Sequence, residues 1–413
     1  MHSRARDRSF ALAHSGWLFV GSGLFIGAVG CSPSSNPQGG TLTCNPSELV
    51  CEGTSAVDAG SGPYCADVDA DPQNCGCCGI RCEAGMACVK GRCAASQTFG
   101  FFVIADVHAG PPANDARLQD AFEQMRQIDP KAIGTLSNGD LTESGSAVEW
   151  GKHDAVMANV GVVSNFECAS AFGSKAGYFA SVGDHDVIDP GWQEAWKVHL
   201  GVTASASQDQ PQALYYSFTY ANALFVMLDS EHVSSPQTSY ADEQTRWLEA
   251  QLTQSTATHK FLFFHRPVYP CNGRHEPFAA GLPWVDLAER YGVRLVFNSH
   301  THVYSRSCPR YGGACAVGTS GTTFVETGAV GGDARELDVT SGTTVGTDAH
   351  GLARSDAYVC DALPNPAVSG EPLNPLNDFC HVHVTECQIS VDCYRVGDLS
   401  GLPFDSWAAD VCS

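Results

Sequence analysis

The chain has 413 residues, 43% of them hydrophobic, which is enough to bury a large core and excludes a disordered protein. Its 23 Lys and Arg against 45 Asp and Glu leave a formal charge of -22, so the long-range field repels nucleic acid and anionic lipid head groups. No nucleic-acid-binding surface is expected, and an anionic substrate has to be drawn in locally, most simply by metal ions.

The first segment, residues 1–30, reads as an export signal: Arg4, Arg6 and Arg8 precede an apolar, small-residue run from Phe10 to Val29. Its end, Ala28-Val29-Gly30-Cys31, resembles a bacterial lipobox, which makes Cys31 the expected lipidation site. An uncleaved membrane anchor is the alternative, although His14 and several glycines interrupt the run. The expected location is therefore the bacterial cell envelope, with a lipid anchor in the outer membrane or periplasm. Residues 31–60, which open with SPSSNPQGGT after Cys31, read as a flexible tether.

Nineteen cysteines suit an oxidising compartment, and ten of them lie before residue 94. Residues 61–95 hold the dense run DPQNCGCCGIRCEAGMACVKGRC, for which a zinc module and a disulfide knot are the two readings. Export and glycine-rich turns favour the knot. The run also resembles small NCGxCGxxC repeats of bacterial surface proteins, with Cys77 as an extra cysteine. Without Cys31 the front and the remainder have nine cysteines each, which implies one bridge between them or two free thiols.

Residues 97–413 read as one α/β domain, in which apolar runs alternate with amphipathic stretches such as ARLQDAFEQMRQI and WVDLAERY. Five apolar runs end in polar clusters. GFFVI leads into Asp106-Val107-His108, AIGTL into Asn138-Gly139-Asp140, and GYFASV into Gly183-Asp184-His185-Asp186. KFLFF leads into His265-Arg266-Pro267, and VRLVF into Asn298-Ser299-His300-Thr301-His302. Ligands of open α/β sheets collect at the carboxyl ends of strands, so the five clusters are expected to form one site. Carboxylates and imidazoles together suit Fe, Mn or Zn, and their number suits two ions sharing a carboxylate.

The order D-x-H, G-D, G-N-H-[DE], H, [GS]-H-x-H is similar to the signature of the calcineurin-like metallophosphoesterases, over residues 99 to about 335. The resemblance implies a β-sandwich flanked by helices. It implies that Asp106, His108, Asp140 and His302 hold one ion, and that Asp140 bridges to a second held by Asp184, His265 and His300. It also implies phosphate-ester hydrolysis by a metal-bridging hydroxide, with His185 protonating the leaving group and Asp186 orienting His185. Asp184 stands where the family has Asn; its charge should favour protonated His185. HRPVYP and SHTHVYSRSCP resemble purple acid phosphatases, but Glu143 stands where those enzymes carry a tyrosine and His108 where they lack a histidine, so a related enzyme without the purple chromophore is expected; Ser299 also replaces the usual glycine, a change that a turn absorbs.

For the substrate, Arg274 and His275 in CNGRHEPF either reach a phosphate or lie in a solvated loop. Gly331-Gly332 reads as a tight turn after a strand, and Cys308 with Cys315 as a small closed loop beside the site. The tail near residues 340–380 reads as a disulfide-pinned loop, followed by a hairpin over FCHVHVTECQISVDCYRVG. Trp150, Trp192, Trp196 and Trp247 read as core anchors. Two functions fit: an exported phosphoesterase, or a surface binding or adhesion lipoprotein that keeps the fold without turnover. The complete ligand set favours the enzyme.

Overall fold

A computed structural model describes residues 48–51, 64–71, 73–82, 88, 89, 91–93, 98–160, 178–200, 214–233, 238–270, 275, 277–316, 321–334, 358–360 and 377–412. The expected signal segment, Cys31, most of the tether, Arg274 and most of the 340–380 tail lie outside the described residues.

The domain is built of four layers. One sheet has six strands in the order β13-β12-β11-β1-β2-β3. These are β1 (Phe99–Ile104), β2 (Thr135–Ser137), β3 (Tyr178–Ala180), β11 (Asp378–Val384), β12 (Gln388–Arg395) and β13 (Asp405–Asp410). The other has seven in the order β10-β8-β9-β7-β6-β5-β4. These are β4 (Tyr216–Tyr220), β5 (Ala223–Met227), β6 (His259–Phe263), β7 (Leu295–Asn298), β8 (Ser305–Ser307), β9 (Thr323–Glu326) and β10 (Tyr358–Cys360). Helices α1 (Pro112–Ile128), α2 (Ala147–Val160) and α3 (Trp192–Leu200) belong to the first half, and α4 (Thr238–Gln254) and α5 (Leu282–Arg290) to the second.

The period of two along β1 explains the layering. Phe99, Phe101 and Val103 enter the cluster between the sheets with Phe225, Phe261 and Phe263. Phe102 and Ile104 point the other way, into a cluster with Leu118, Phe122, Trp150 and Trp196 from the helices. The matching outer layer packs Leu224, Val226 and Leu262 against Leu248, Leu252 and Trp284. A strand covered on both faces must be apolar throughout, which is why these strands read as continuous hydrophobic runs.

β1, β2 and β3 are parallel to one another, as are β5, β6, β7 and β9. The hairpin expected near the end of the chain is β11 and β12, joined to β1 and held by Cys380–Cys393, with Cys387–Cys412 beside it. Cys308–Cys315 closes the small loop after β8.

The Cys-rich region is held by Cys51–Cys78 and Cys75–Cys88, and Cys65, Cys77 and Cys82 are also disulfide-bonded, as the knot reading requires. Cys77 belongs to the inter-sheet cluster and Ile80 packs against it, so this region seals part of the sandwich. Five such pairs fit an extracytoplasmic compartment. Among the described residues, no helix is long and apolar enough to cross a membrane.

Candidate metal centre

The carboxyl ends of β1, β2, β3, β6 and β7 meet at one edge of the sandwich, and the five polar clusters converge there. Backbone bonds lace the loops together: Asp106 N donates to the Gly139 carbonyl, His108 N to Asp140, and Gly332 N to Asp106. Asp106, His108, Asp140, His300 and His302 all have positive φ, between 47° and 78°. Such conformations cost on the order of 1–3 kcal/mol each in non-glycine residues and persist where surrounding structure imposes them. Two glycines make the close approach feasible. A Cβ on Gly183 would collide with Asp140, and one on Gly332 would lie 2.7 Å from His108 Cδ2. The turn expected at Gly331-Gly332 therefore also backs a ligand-type histidine.

Three groups of side chains form among the described residues: His108, Glu143 and His185 make a small one at the rim, and two larger ones share Asp140. Asp106, His108, Asp140 and His302 make one, and Asp140, Asp184, His265 and His300 the other, with donor atoms within 4.8 Å of each other in each group. In the first, His108 Nε2 is 3.1 Å from His302 Nε2 and 3.5 Å from Asp140 Oδ2. In the second, His265 Nε2 is 3.3 Å from the same Asp140 oxygen and 2.9 Å from Asp184 Oδ1. His300 Nδ1 lies 2.9 Å from Asp184 Oδ1 and 3.2 Å from His265 Nε2. The seven residues expected as ligands are thus brought together, with Asp140 common to both groups.

The far nitrogens show whether the donors suit cations. His108 Nδ1 is 3.0 Å from Glu143 Oε2, His302 Nδ1 2.8 Å from the Asp333 carbonyl, and His265 Nδ1 2.9 Å from the Asn138 carbonyl. An acceptor on that side holds the proton there and leaves a lone pair on each Nε2. Lone pairs of His108 and His302 only 3.1 Å apart repel unless a cation lies between them. Protons can serve in part. His265 is raised well above the ordinary imidazole value: burial, the largest influence, opposes this, but Asp140 and Asp184 outweigh it. Asp106 is raised well above the carboxylate range, by burial first and then by Asp140 and Asp184. Asp140 is held down at about 2, because His265 and His108 overcome its burial. Buried carboxylates and histidines in this arrangement fit a dinuclear metal centre.

His185 stands at the rim, its ring 4.5 Å from that of His108. Its backbone N donates to Asp140 Oδ1, and its Nδ1 donates to the Glu143 carbonyl at 2.8 Å, which leaves Nε2 as the nitrogen that exchanges a proton. Burial lowers its proton affinity, but Asp140, the Glu143 carbonyl and Asp184 outweigh that, so His185 ends above the ordinary value. The expected contact from Asp186 to His185 is not made, and the structure corrects it. Residues 185–187 form a 3-10 turn that sends the Asp186 carboxylate back beneath the loop. There Oδ1 accepts from Thr142 N and Oγ1, and Oδ2 from Gly183 N. Burial, then Asp140, pushes Asp186 up to about 7. Asp186 thus ties the loops after β2 and β3 together, and the side-chain contact of His185 Nδ1 is with the Glu143 carbonyl.

His275 lies at the mouth, 4.4 Å ring to ring from His300. Three further residues were not singled out as contributors by sequence. Glu143 touches both His108 and, through its carbonyl, His185. Ser299 Oγ is 2.9 Å from His265 Nδ1, so the replacement of the usual glycine adds a polar contact. Arg266 is clamped by Glu231, with Nε at 2.8 Å and Nη2 at 2.7 Å from Oε2, and it lies 3.7 Å from Asp184 Oδ2. Position immediately after a ligand-type residue was the one available sign for Arg266.

A sandwich with helices on both outer faces and a carboxylate-bridged double cluster at the strand ends defines the metal-dependent phosphoesterase class. Residues 99–304 match the model of the calcineurin-like phosphoesterases, and the domain belongs to that metallophosphoesterase superfamily. In structure the chain is similar to the purple acid phosphatase PPD1 from yellow lupin (Lupinus luteus) seeds. That match has a TM-score of 0.55 and 14% identity over 78% of this chain and 57% of the lupin chain. It is also similar to GAP50, the anchor in the inner membrane complex of Plasmodium, with a TM-score of 0.51 and 12% identity over 76% of this chain and 89% of the other. An uncharacterized protein of Mycobacterium tuberculosis (strain CDC 1551 / Oshkosh) is 28% identical over 143 residues, which is 32% of this chain and 26% of that protein. The chain thus spans about a quarter of the length of the curated relatives it matches.

Proposed function

We propose that the protein is an exported dinuclear-metal phosphoesterase that hydrolyses phosphate esters. The observation that carries this reading is the sharing of Asp140 between two complete ligand groups, with His185 at their edge. Asp106, His108, Asp140 and His302 would hold one ion, and Asp140, Asp184, His265 and His300 the other. Two such ions, whether Fe, Mn or Zn, would supply Lewis acidity toward the phosphate and an activated water. The chain's own residues do the rest. Glu143 fixes His185 with Nε2 outward, the surrounding carboxylates keep that ring protonated to higher pH, and Nε2–H donates to the departing alkoxide. Asp186 holds the loop that carries these groups.

The test is the metal content of the oxidatively folded protein after loading with Fe, Mn and Zn in turn, alongside hydrolysis of phosphate mono- and diesters. About two ions per chain with turnover is the expected result. One ion or none in a folded protein, with no ester hydrolysed, would move a non-catalytic binding lipoprotein ahead. The domain limits 1–30, 31–60, 61–95 and 97–413, with lipid on Cys31, belong to the same proposal, with the tether ending before Leu49–Cys51, which pair with Tyr64–Ala66 and join the Cys-rich region through Cys51–Cys78. Cys31→Ser should move the protein from the membrane fraction to the soluble fraction, and an unchanged distribution would remove the anchor.

A further inference from the structure

Of the four histidines in the double cluster, three have an oxygen acceptor on the nitrogen away from the cluster: Glu143 for His108, and the Asn138 and Asp333 carbonyls for His265 and His302. His300 differs. It turns Nδ1 to the cluster, and its Nε2 faces the guanidinium of Arg266, 3.2 Å from Nη1. A neutral imidazole that gives the Nδ1 lone pair to a cation carries its proton on Nε2. Without a cation His300 Nε2 can accept from Arg266 Nη1 while Nδ1 faces Asp184; with a cation on Nδ1, Nε2–H and Nη1–H become two donors pointed at one another, with no acceptor between them among the described residues. Glu231 does not relieve this, because it accepts from the opposite edge of the guanidinium, Nε and Nη2, and thereby fixes Nη1 in place. Arg266 and His300 both line one groove of about 260 Å³, whose other described lining residues are Pro267, Pro277, Phe278, Ala279 and Ala280.

An oxyanion in the groove would accept from both donors and resolve the conflict, with the apolar wall left for a short carbon skeleton. We propose that this groove is a subsite for an oxyanion carried on the leaving group, so that preferred substrates are phosphate esters of small alcohols bearing a carboxylate or a further phosphate. The proposal rests on the phosphoesterase reading and narrows its substrate class. Arg266 acts there as a binding and specificity residue, and the acidic surface elsewhere makes a preorganised pair of donors the local means of holding the second charge.

The experiment measures binding, by calorimetry, of propylphosphonate, 3-phosphonopropionate and propane-1,3-bisphosphonate to the metal-loaded protein and to metal-loaded Arg266→Met. Arg266→Gln serves as a second variant, and ion content is checked in each. The native protein should bind one of the doubly charged probes about tenfold or more tighter than propylphosphonate, and the better of the two identifies carboxylate or phosphate as the group recognised. The variant should lose that preference while keeping its ions and its affinity for propylphosphonate. Equal loss for all three probes, or no preference in the native protein, overturns the subsite. If no phosphonate binds, the ester reading is what fails. The groove is then decided by titrating sulfate into the metal-loaded protein and following histidine ring N–H resonances. A His300 Nε2–H shift that Arg266→Met abolishes upholds the subsite, and its absence ends it.

Discussion

The two ligand groups share Asp140 but differ in exposure. Asp106, His108, Asp140 and His302 are all buried, whereas Asp184 and His300 in the other group are partly open. The closed group is surrounded by protein acceptors, with Glu143 behind His108 and the Asp333 carbonyl behind His302. The open group meets the groove and the Arg266 guanidinium. Electrostatic attraction is stronger and less screened where water is excluded, so the closed group should act as the permanent anchor and the open group as the face that meets ligand. Burial, rather than ligand identity, separates the two roles.

Removing the shared residue erases the difference. Asp140→Asn weakens both groups at once, because the one amide oxygen that remains cannot both accept from the His185 backbone N–H and serve the two groups as Oδ2 does. Metal content should fall below about one ion per chain, and ester hydrolysis by more than about a thousandfold, the scale of losing both an ion and an aligned acid. Elemental analysis of the folded variant checks this, and about two ions per chain would disprove the bridge. In the native protein, timed dialysis against chelator should release metal in two phases, the first about tenfold or more faster than the second. His300→Ala should remove the fast phase and leave the slow one. A single phase in the native protein would mean that exposure does not set lability.

Much of this was legible because the ligand-type residues follow apolar strands directly, and strand ends in an α/β sheet converge. The layers were legible from the apolar runs themselves, since a strand buried on both faces has no polar alternation. What spacing could not show were contacts set by the path of a loop. Asp186 adjoins His185 in the chain, and adjacency reads as contact until the 3-10 turn carries the carboxylate to Thr142 and Gly183. Glu143 reads only as a missing tyrosine, because the pairing that gives it a purpose, with His108, spans 35 positions. Arg266 and Glu231 are likewise 35 apart, and the former's second neighbour, His300, lies on another strand end. The disulfide partners stayed open for the same reason: parity counts thiols but does not bring them together.

Glu143 offers a finer separation of the groups, since its carboxylate touches His108 and none of the open group's ligands. Glu143→Gln keeps the shape and a hydrogen-bonding oxygen but removes the charge that makes His108 a better donor. Affinity of the closed group should fall about 10–100-fold, the usual cost of losing such a supporting contact, with the open group changed far less. Competitive metal titration reads the two sites separately, and equal weakening of both would show that Glu143 acts on the loop rather than on His108.

The smallest expected effect belongs to Asp184→Asn, which restores the amide of the family pattern. Asp184 is among the carboxylates that hold His185 above the ordinary imidazole value, in opposition to its burial. The acid form of His185 is present below that raised value and is lost as pH rises through it, so the alkaline limb of kcat reports its position. Removing the Asp184 charge weakens the hold on the proton and should move the limb toward lower pH by less than about one unit, with the acidic limb governed by other groups. Arg266, 3.7 Å from Asp184 Oδ2, loses a partner in the same variant and its charge is then less compensated, which lowers the proton affinity of His185 further in the same direction. An alkaline limb that stays in place would show that metal ions screen Asp184 from His185, leaving Asp140 and the Glu143 carbonyl as the groups that set its protonation.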